Sequence, residues 1–228
     1  MAATLSGDVL LLAIGPRATF QTVGPVGLVL AGALLCESAM AGWPILPESN
    51  GPRRAKELTA LVEGLAPAAV DRCAAPLEAD GVIARLEHVT LRVFRRNGYQ
   101  MIAWEPRQDA ARRLVSALTP GRTPSRGEAV LAVLCATAGL AGHVMPPPAK
   151  RAGRVALAHH LNGLRPVVGE PVAEVLFATR RAYRRADAND WVFAPVDGSS
   201  GYGDHGGHGD AGHGGGHDGG GGHGGGGH

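Results

Sequence analysis

Aromatic residues make up only 4% of this 228-residue chain, so its interior cannot be organised around large rings. A core of Leu, Val and Ala on closely packed elements is what remains. The three cysteines, Cys36, Cys73 and Cys135, stand far apart without CxxC spacing, which supports neither a disulfide framework nor a zinc site. They read as small buried hydrophobes in a reducing compartment. Long apolar runs are also lacking. The uncharged stretch from Ala18 to Cys36 contains Thr19, Gln21, Thr22 and Pro25, leaving a strongly apolar segment of only Val26 to Leu35. That length suits a buried core helix and falls short of a membrane span. No basic segment precedes the first apolar stretch, and Asp8 interrupts it, so no secretory leader is expected.

Catalytic signatures are missing as well. GxSxG, HExxH and a P-loop do not occur, and Gly24-Pro25-Val26-Gly27 has neither the spacing nor the preceding strand of a dinucleotide fingerprint. Adjacent helical residues point to different faces, so His159-His160 is not a metal pair. His88 and His143 are isolated, and Asp109 and Glu128 sit near helix starts, where carboxylates complement the macrodipole. A non-enzymatic protein is expected. Charge of one sign is scarce too: up to Ser200, 22 basic residues face 17 acidic ones, a formal +5. This mildly basic body is no polycation, and no nucleic-acid partner is expected.

What the chain does contain is helical patterning. Leu28 to Met40 is apolar or small on nearly every side and ends at Gly42, which predicts a core helix. Beyond a polar connector from Pro44 to Pro52, Leu58, Leu61, Val62 and Leu65 recur at amphipathic spacing, continued by Val70, Cys73 and Leu77 after Pro67. Pro76 predicts a kink or an early end there. Gly81 to Trp104 is rich in β-branched and aromatic residues, and Asn97-Gly98 favours a type I′ turn pairing Val89–Arg95 with Tyr99–Trp104, in competition with a turn at Glu87-His88. Helices return with the stripes Ala111, Leu114, Val115, Leu118 and Val130, Leu131, Leu134, Ala138. Pro146-Pro147-Pro148 is a stiff break, after which Leu157, Leu161 and Leu164 mark a helix stopped by Pro166. Pro171 opens the last helix, which turns Val172, Val175, Leu176, Thr179 and Tyr183 inward and Arg180, Arg181, Arg184 and Arg185 outward. Trp191 and Phe193 are expected to pack back onto the body. The pattern predicts a mainly α, single multi-helix domain over residues 1–197 with a buried central bundle and one β-hairpin.

Residues 198–228 differ in kind. Seventeen glycines between Gly201 and Gly227 alternate with His205, His208, His213, His217, His223 and His228 and with Asp204, Asp210 and Asp218. Such a segment cannot bury a core, so a disordered Gly/His-rich tail is expected. Its imidazoles are candidate ligands for weak, unselective Zn, Ni or Cu binding, because each bound ion must order a glycine chain. Protonation near pH 6.5 would make the tail cationic. No other cofactor is expected.

Gly7-Asp-Val-Leu-Leu-Leu-Ala-Ile14, Leu30-Ala-Gly-Ala-Leu-Leu-Cys-Glu37 through Gly42, Leu77-Glu-Ala-Asp-Gly-Val-Ile83 and Arg126 through Leu140 together resemble, in order and spacing, the Golgi phosphoprotein 3 family and its bacterial branch in particular. The resemblance spans roughly residues 5 to 186. It implies the same helical domain with one hairpin, and a peripheral membrane protein that binds phosphatidylinositol 4-phosphate or another anionic headgroup, with adaptor clients as possible partners. A cytoplasmic, membrane-associated location follows. By this resemblance Arg122 and Arg126 match two headgroup arginines, whereas the family's tryptophan falls at Gln21 or Thr22 and a further arginine at Ala31. The alternative for Arg122 and Arg126 is two solvated side chains in a Pro-rich loop. Arg92, Phe94, Arg95, Arg96 and Tyr99 on the hairpin mix cations with rings suited to the headgroup level, the element with which the family meets membranes. The other open reading is a soluble protein–protein adaptor that has lost headgroup recognition.

Overall fold

The computed structural model describes residues 4–15, 25–45, 51–90, 94–119, 121–144, 163 and 165–193, with the backbone alone at 87–90, 94–97, 143–144, 165 and 188–193. The chain divides into the units Met1–Phe193 and Ala194–His228, and all described residues belong to the first. Its elements in order are α1 (Leu5–Ala13), α2 (Val26–Met40), α3 (Gly51–Ala79), β1 (Ile83–Thr90), β2 (Phe94–Met101), α4 (Glu105–Leu118), α5 (Arg126–Thr137), the single turns α6 (Ala141–Val144) and α7 (Arg165–Val168), and α8 (Glu170–Phe193). The domain is mainly helical, with one antiparallel two-stranded hairpin among the described residues.

Helix α2 sits at the centre, packed against α1, α3, α5 and α8. A helix surrounded in this way must be apolar on all sides, and Val29, Leu30, Ala31, Ala33 and Cys36 are fully buried. Two glycines let its neighbours approach. A Cβ at Gly27 would lie 2.5 Å from the Ala66 carbonyl oxygen on α3, and one at Gly32 would lie 2.2 Å from Thr179 Oγ1 on α8. Thr179 is itself 1% exposed and donates its hydroxyl to the Val175 carbonyl at 2.8 Å, which satisfies its polar atom inside the core.

Helix α1 was not apparent as an element from periodicity. All nine of its residues are buried, and Thr4 caps it by accepting from the Gly7 N–H at 3.1 Å. Helix α3 runs through both Pro67 and Pro76 to Ala79, so Pro76 does not end it where sequence suggested. It stops instead at Gly81, whose φ of 67° opens a Schellman motif: the Val82 N–H reaches the Leu77 carbonyl at 2.8 Å and the Gly81 N–H reaches Glu78 at 3.0 Å. Val82 and Leu77 are both buried, giving the hydrophobic contact that accompanies this cap. The α5 end at Gly139 repeats the same hydrogen bonds, with Leu140 to Cys135 at 2.8 Å.

The hairpin turn differs from both sequence expectations. Strands β1 and β2 pair Ile83 with Met101, Arg85 with Tyr99, Glu87 with Asn97 and Thr90 with Phe94. Asn97-Gly98 therefore lies inside β2 and Glu87-His88 inside β1, while the connection at residues 91–93 falls outside the described residues. Burial decides the register. Ile83, Tyr99 and Met101 are 2%, 2% and 7% exposed, and a turn at Asn97-Gly98 would separate them. Burying each such side chain contributes roughly 1.5–3 kcal/mol, more than a local turn preference supplies. On α4 the buried stripe is Ala110, Leu114 and Ala117, and Val115, expected inward, is 45% exposed. The expected helix at Leu157–Leu164 lies almost wholly outside the described residues, as do the side chains of Trp191 and Phe193.

Gly27→Ala and Gly32→Ala should each lower unfolding free energy by about 1–3 kcal/mol through overpacking, although alanine is the better helix former. Gly64→Ala, on the exposed side of α3 with nothing within 4 Å of its would-be Cβ, should instead stabilise by up to about 1 kcal/mol. Urea unfolding of the three variants checks the contrast; equal effects would mean that helix propensity, not close packing, governs the α2 positions.

Candidate functional site

The N-terminus of α1, the C-terminal part of α2, helix α4 and the start of α5 enclose a cleft of about 420 Å³ lined by Leu5, Leu131, Asp8, Glu37, Arg113 and Glu128 among others. Asp8 is 7% exposed in the first turn of α1. Arg113 on α4 grips it with a fork, Nε to Oδ2 at 2.9 Å and a terminal nitrogen to Oδ1 at 2.5 Å. Such bidentate geometry is what a buried carboxylate requires to remain charged. Glu37 accepts from the Ser6 N–H at 2.8 Å and from its hydroxyl at 3.1 Å, tying the end of α2 to α1. The cleft thus carries three carboxylates against one guanidinium, each with an internal partner, and its charge disfavours a phosphate.

Burial pushes the Asp8 carboxyl above its ordinary range, and the Arg113 hydrogen bonds and charge only partly pull it back. The sign follows directly. A carboxyl whose folded pKa exceeds its unfolded value contributes stability that is complete below the unfolded value and is lost as pH rises through the folded one. The stability difference between the unaltered protein and Asp8→Asn should therefore shrink as pH rises from about 4, the ordinary Asp value. Urea titrations of both proteins at several pH values test this. A difference that grows with pH would mean that Arg113 outweighs desolvation.

Arg122 and Arg126 do meet at one place, the N-terminus of α5, but they turn to different partners. Ser125 and Glu128 form a capping box there, with the Ser125 N–H to Glu128 at 2.8 Å and the Glu128 N–H to Ser125 Oγ at 3.3 Å. These bonds, led by the Ser125 backbone, hold the Glu128 carboxyl below its usual range. Arg122 pairs with Glu128 at 3.2 Å. Arg126 donates from Nε to the Val168 carbonyl at 2.8 Å, fastening α5 to α7. The neighbouring Gly169 is close enough that an added Cβ would stand 3.4 Å from the guanidinium. Ala31, where the resemblance placed an arginine, is fully buried on α2, and Gln21 and Thr22 lie outside the described residues.

On the hairpin, Arg92 lies outside the described residues, and Phe94, Arg95 and Arg96 are placed by backbone register opposite Thr90, Val89 and His88. Tyr99 corrects the expectation of a membrane-facing ring. It is 2% exposed, lies 5.6 Å beneath the Arg85 guanidinium carbon and donates its hydroxyl to Asp71 at 3.2 Å. Burial raises its phenol to about 12. Tyr99 is thus an anchor of the hairpin on α3. The six tail histidines lie outside the described residues, and among the described residues no group of His, Cys, Asp or Glu is arranged to hold a metal ion.

A second candidate surface is the outer side of α8. Arg180, Arg181, Arg184 and Arg185 are exposed there, and Phe177, one turn earlier, is 60% exposed. Arg185 lies 3.6 Å from Glu63; among the described residues no carboxylate pairs with the other three. The outward arginines were visible in the helical periodicity, but nothing in the residue types alone assigned them a task. No described helix is long and apolar enough to cross a membrane.

A buried helix pair wrapped by amphipathic helices, with a hairpin pinned to the longest of them, defines a helical scaffold. The profile of the Golgi phosphoprotein 3 (GPP34) family matches residues 45–182, and the chain belongs to that family. No curated protein matches the chain significantly.

Proposed function

We propose that this protein is a non-catalytic, peripheral membrane protein that docks on anionic lipid, phosphatidylinositol 4-phosphate included, through the outer face of α8. The observation carrying this reading is the run of exposed arginines at 180, 181, 184 and 185 beside the exposed Phe177. Basic residues near an anionic surface contribute about 1 kcal/mol each, and an adjacent ring can enter the interface. Arg122 and Arg126 are engaged within the chain, which favours recognition of surface charge over recognition of one headgroup in a pocket. The same engagement, with Ala31 buried, supports a second reading: a protein–protein adaptor without lipid affinity.

Flotation with phosphatidylcholine vesicles, alone or containing phosphatidylglycerol or phosphatidylinositol 4-phosphate at matched charge, separates these readings. Binding should require anionic lipid, weaken with salt and differ little between the two anionic compositions. Replacing Arg181 and Arg184 by Gln should cost roughly 30-fold in affinity, as two contributions of about 1 kcal/mol imply. Failure to float at low salt would leave the adaptor reading; a phosphoinositide preference abolished by Arg126→Ala would instead establish a pocket at α5.

A further inference from the structure

Helix α4 is apolar over a wider arc than it buries. Ala110, Leu114 and Ala117 are fully buried, yet Val115 is 45% exposed and Trp104, at the N-cap, 44%. Trp104, Ala111 and Val115 stand seven and then four residues apart, which stacks them along one side of the helix. Ile102, two residues ahead of Trp104, adds a further side chain that is 56% exposed. The stripe from 104 to 115 is about 16 Å long at 1.5 Å per residue, too small for a stable interface between folded domains and matched to a short segment.

Arg107 gives this edge a polar preference. Its guanidinium carbon stands 5.6 Å from the Trp104 ring centre, and its buried Nε has no hydrogen-bond acceptor among the described residues. That buried Nε is out of an arriving group's reach, but the terminal nitrogens are not buried, and a carboxylate brought over the Trp104 ring would meet them side by side. A bilayer is a poorer occupant. Glu105 and Asp109 share α4 with Arg107 and Arg112, and Asp109 pairs with Arg112, so these four charges cancel and give an anionic surface no net attraction. The helix also packs on α1, α5 and α6, whereas α8 packs on α2, α3, α5 and α7, so the two surfaces are built on largely different sets of neighbours.

We propose that the edge formed by Ile102, Trp104, Arg107 and Val115 is a docking site for a short partner-protein segment that places a carboxylate beside apolar side chains. The site is independent of the membrane reading. A displayed library of random twelve-residue peptides, selected on the immobilised full-length protein, supplies the probe. The enriched peptides should carry Asp or Glu next to Leu, Phe or Trp, and should lose about tenfold or more in affinity on Trp104→Ala and on Arg107→Gln, the usual effect of removing a central Trp or Arg anchor. Arg107→Lys should recover only part of it, because lysine keeps the charge and loses the fork. Lys56→Ala, at an exposed position on α3, should leave peptide affinity unchanged, and thermal unfolding of each variant confirms its fold. The proposal is overturned if no acidic–apolar peptide is enriched, or if enriched peptides bind the Trp104 and Arg107 variants undiminished. It is equally overturned if Trp104→Ala abolishes vesicle flotation, or if Val115→Asp dissolves a self-associated form seen in sedimentation; the edge would then serve lipid or a second copy of the chain.

Discussion

Everything in this domain hangs on the closeness with which α2 can be approached. A chain this poor in aromatic residues has few side chains able to fill wide gaps, so stability must come from many small contacts between helices that lie near one another. Gly27 and Gly32 supply that closeness on two sides, against the α3 backbone and against Thr179 of α8. Alanines do the same elsewhere, with Ala31, Ala33, Ala69, Ala74, Ala129 and Ala132 all fully buried. The surrounding helices are then held at distances that larger residues would not permit. The cysteines fit the same scheme. Cys36, Cys73 and Cys135 are buried, and burial raises all three thiols, that of Cys73 to about 12, which makes them packing groups and poor nucleophiles.

Among the described residues, charge enters this interior at one place, and there it joins elements distant in sequence. Asp8 and Arg113 connect the first helix to the fourth, and Glu37 holds the end of α2 to Ser6. Buried pairs of this kind contribute little net stability, because desolvation offsets most of their attraction, but removing one partner strands the other. Their effect is to fix which helix faces which. Helices built so largely of Leu, Val and Ala could slide past one another at small cost; the Asp8–Arg113 fork allows one register between α1 and α4.

Periodicity made much of this legible, and its failures have a common cause. The core helix at Leu28–Met40, the two-part pattern of α3, the buried stripe of α5 and the outward arginines of α8 could be read because each element's own sequence states which side is apolar. Three features could not. Asp8 looked like an interruption of an apolar stretch because its partner lies 105 residues away. The Asn97-Gly98 turn signal was overridden because Ile83, Tyr99 and Met101 gain more from burial than a two-residue turn provides. Val115 was expected inward because Ala110 and Ala117, which define the buried side of α4, look neutral in a hydrophobic pattern. In each case a contact with another element decided an outcome that local sequence left open.

The same distinction separates the candidate surfaces. At the start of α5 two arginines and a helix N-terminus converge, the ingredients of an anion site. The chain provides that anion itself: Glu128 closes the capping box and takes Arg122, while Arg126 gives its Nε to the Val168 carbonyl. A phosphate arriving there would have to displace a carboxylate already bonded to the backbone. Among the described residues the arginines of α8 face no such competitor except at Arg185, and Arg107 on α4 holds a donor without an acceptor. Among the described residues, cationic capacity thus lies more on an open face than at a convergent helix end. An open face measures the charge density of what it meets, whereas a convergent site measures shape, so the membrane role proposed for α8 entails an affinity that follows the anionic content of a surface rather than the stereochemistry of any one headgroup.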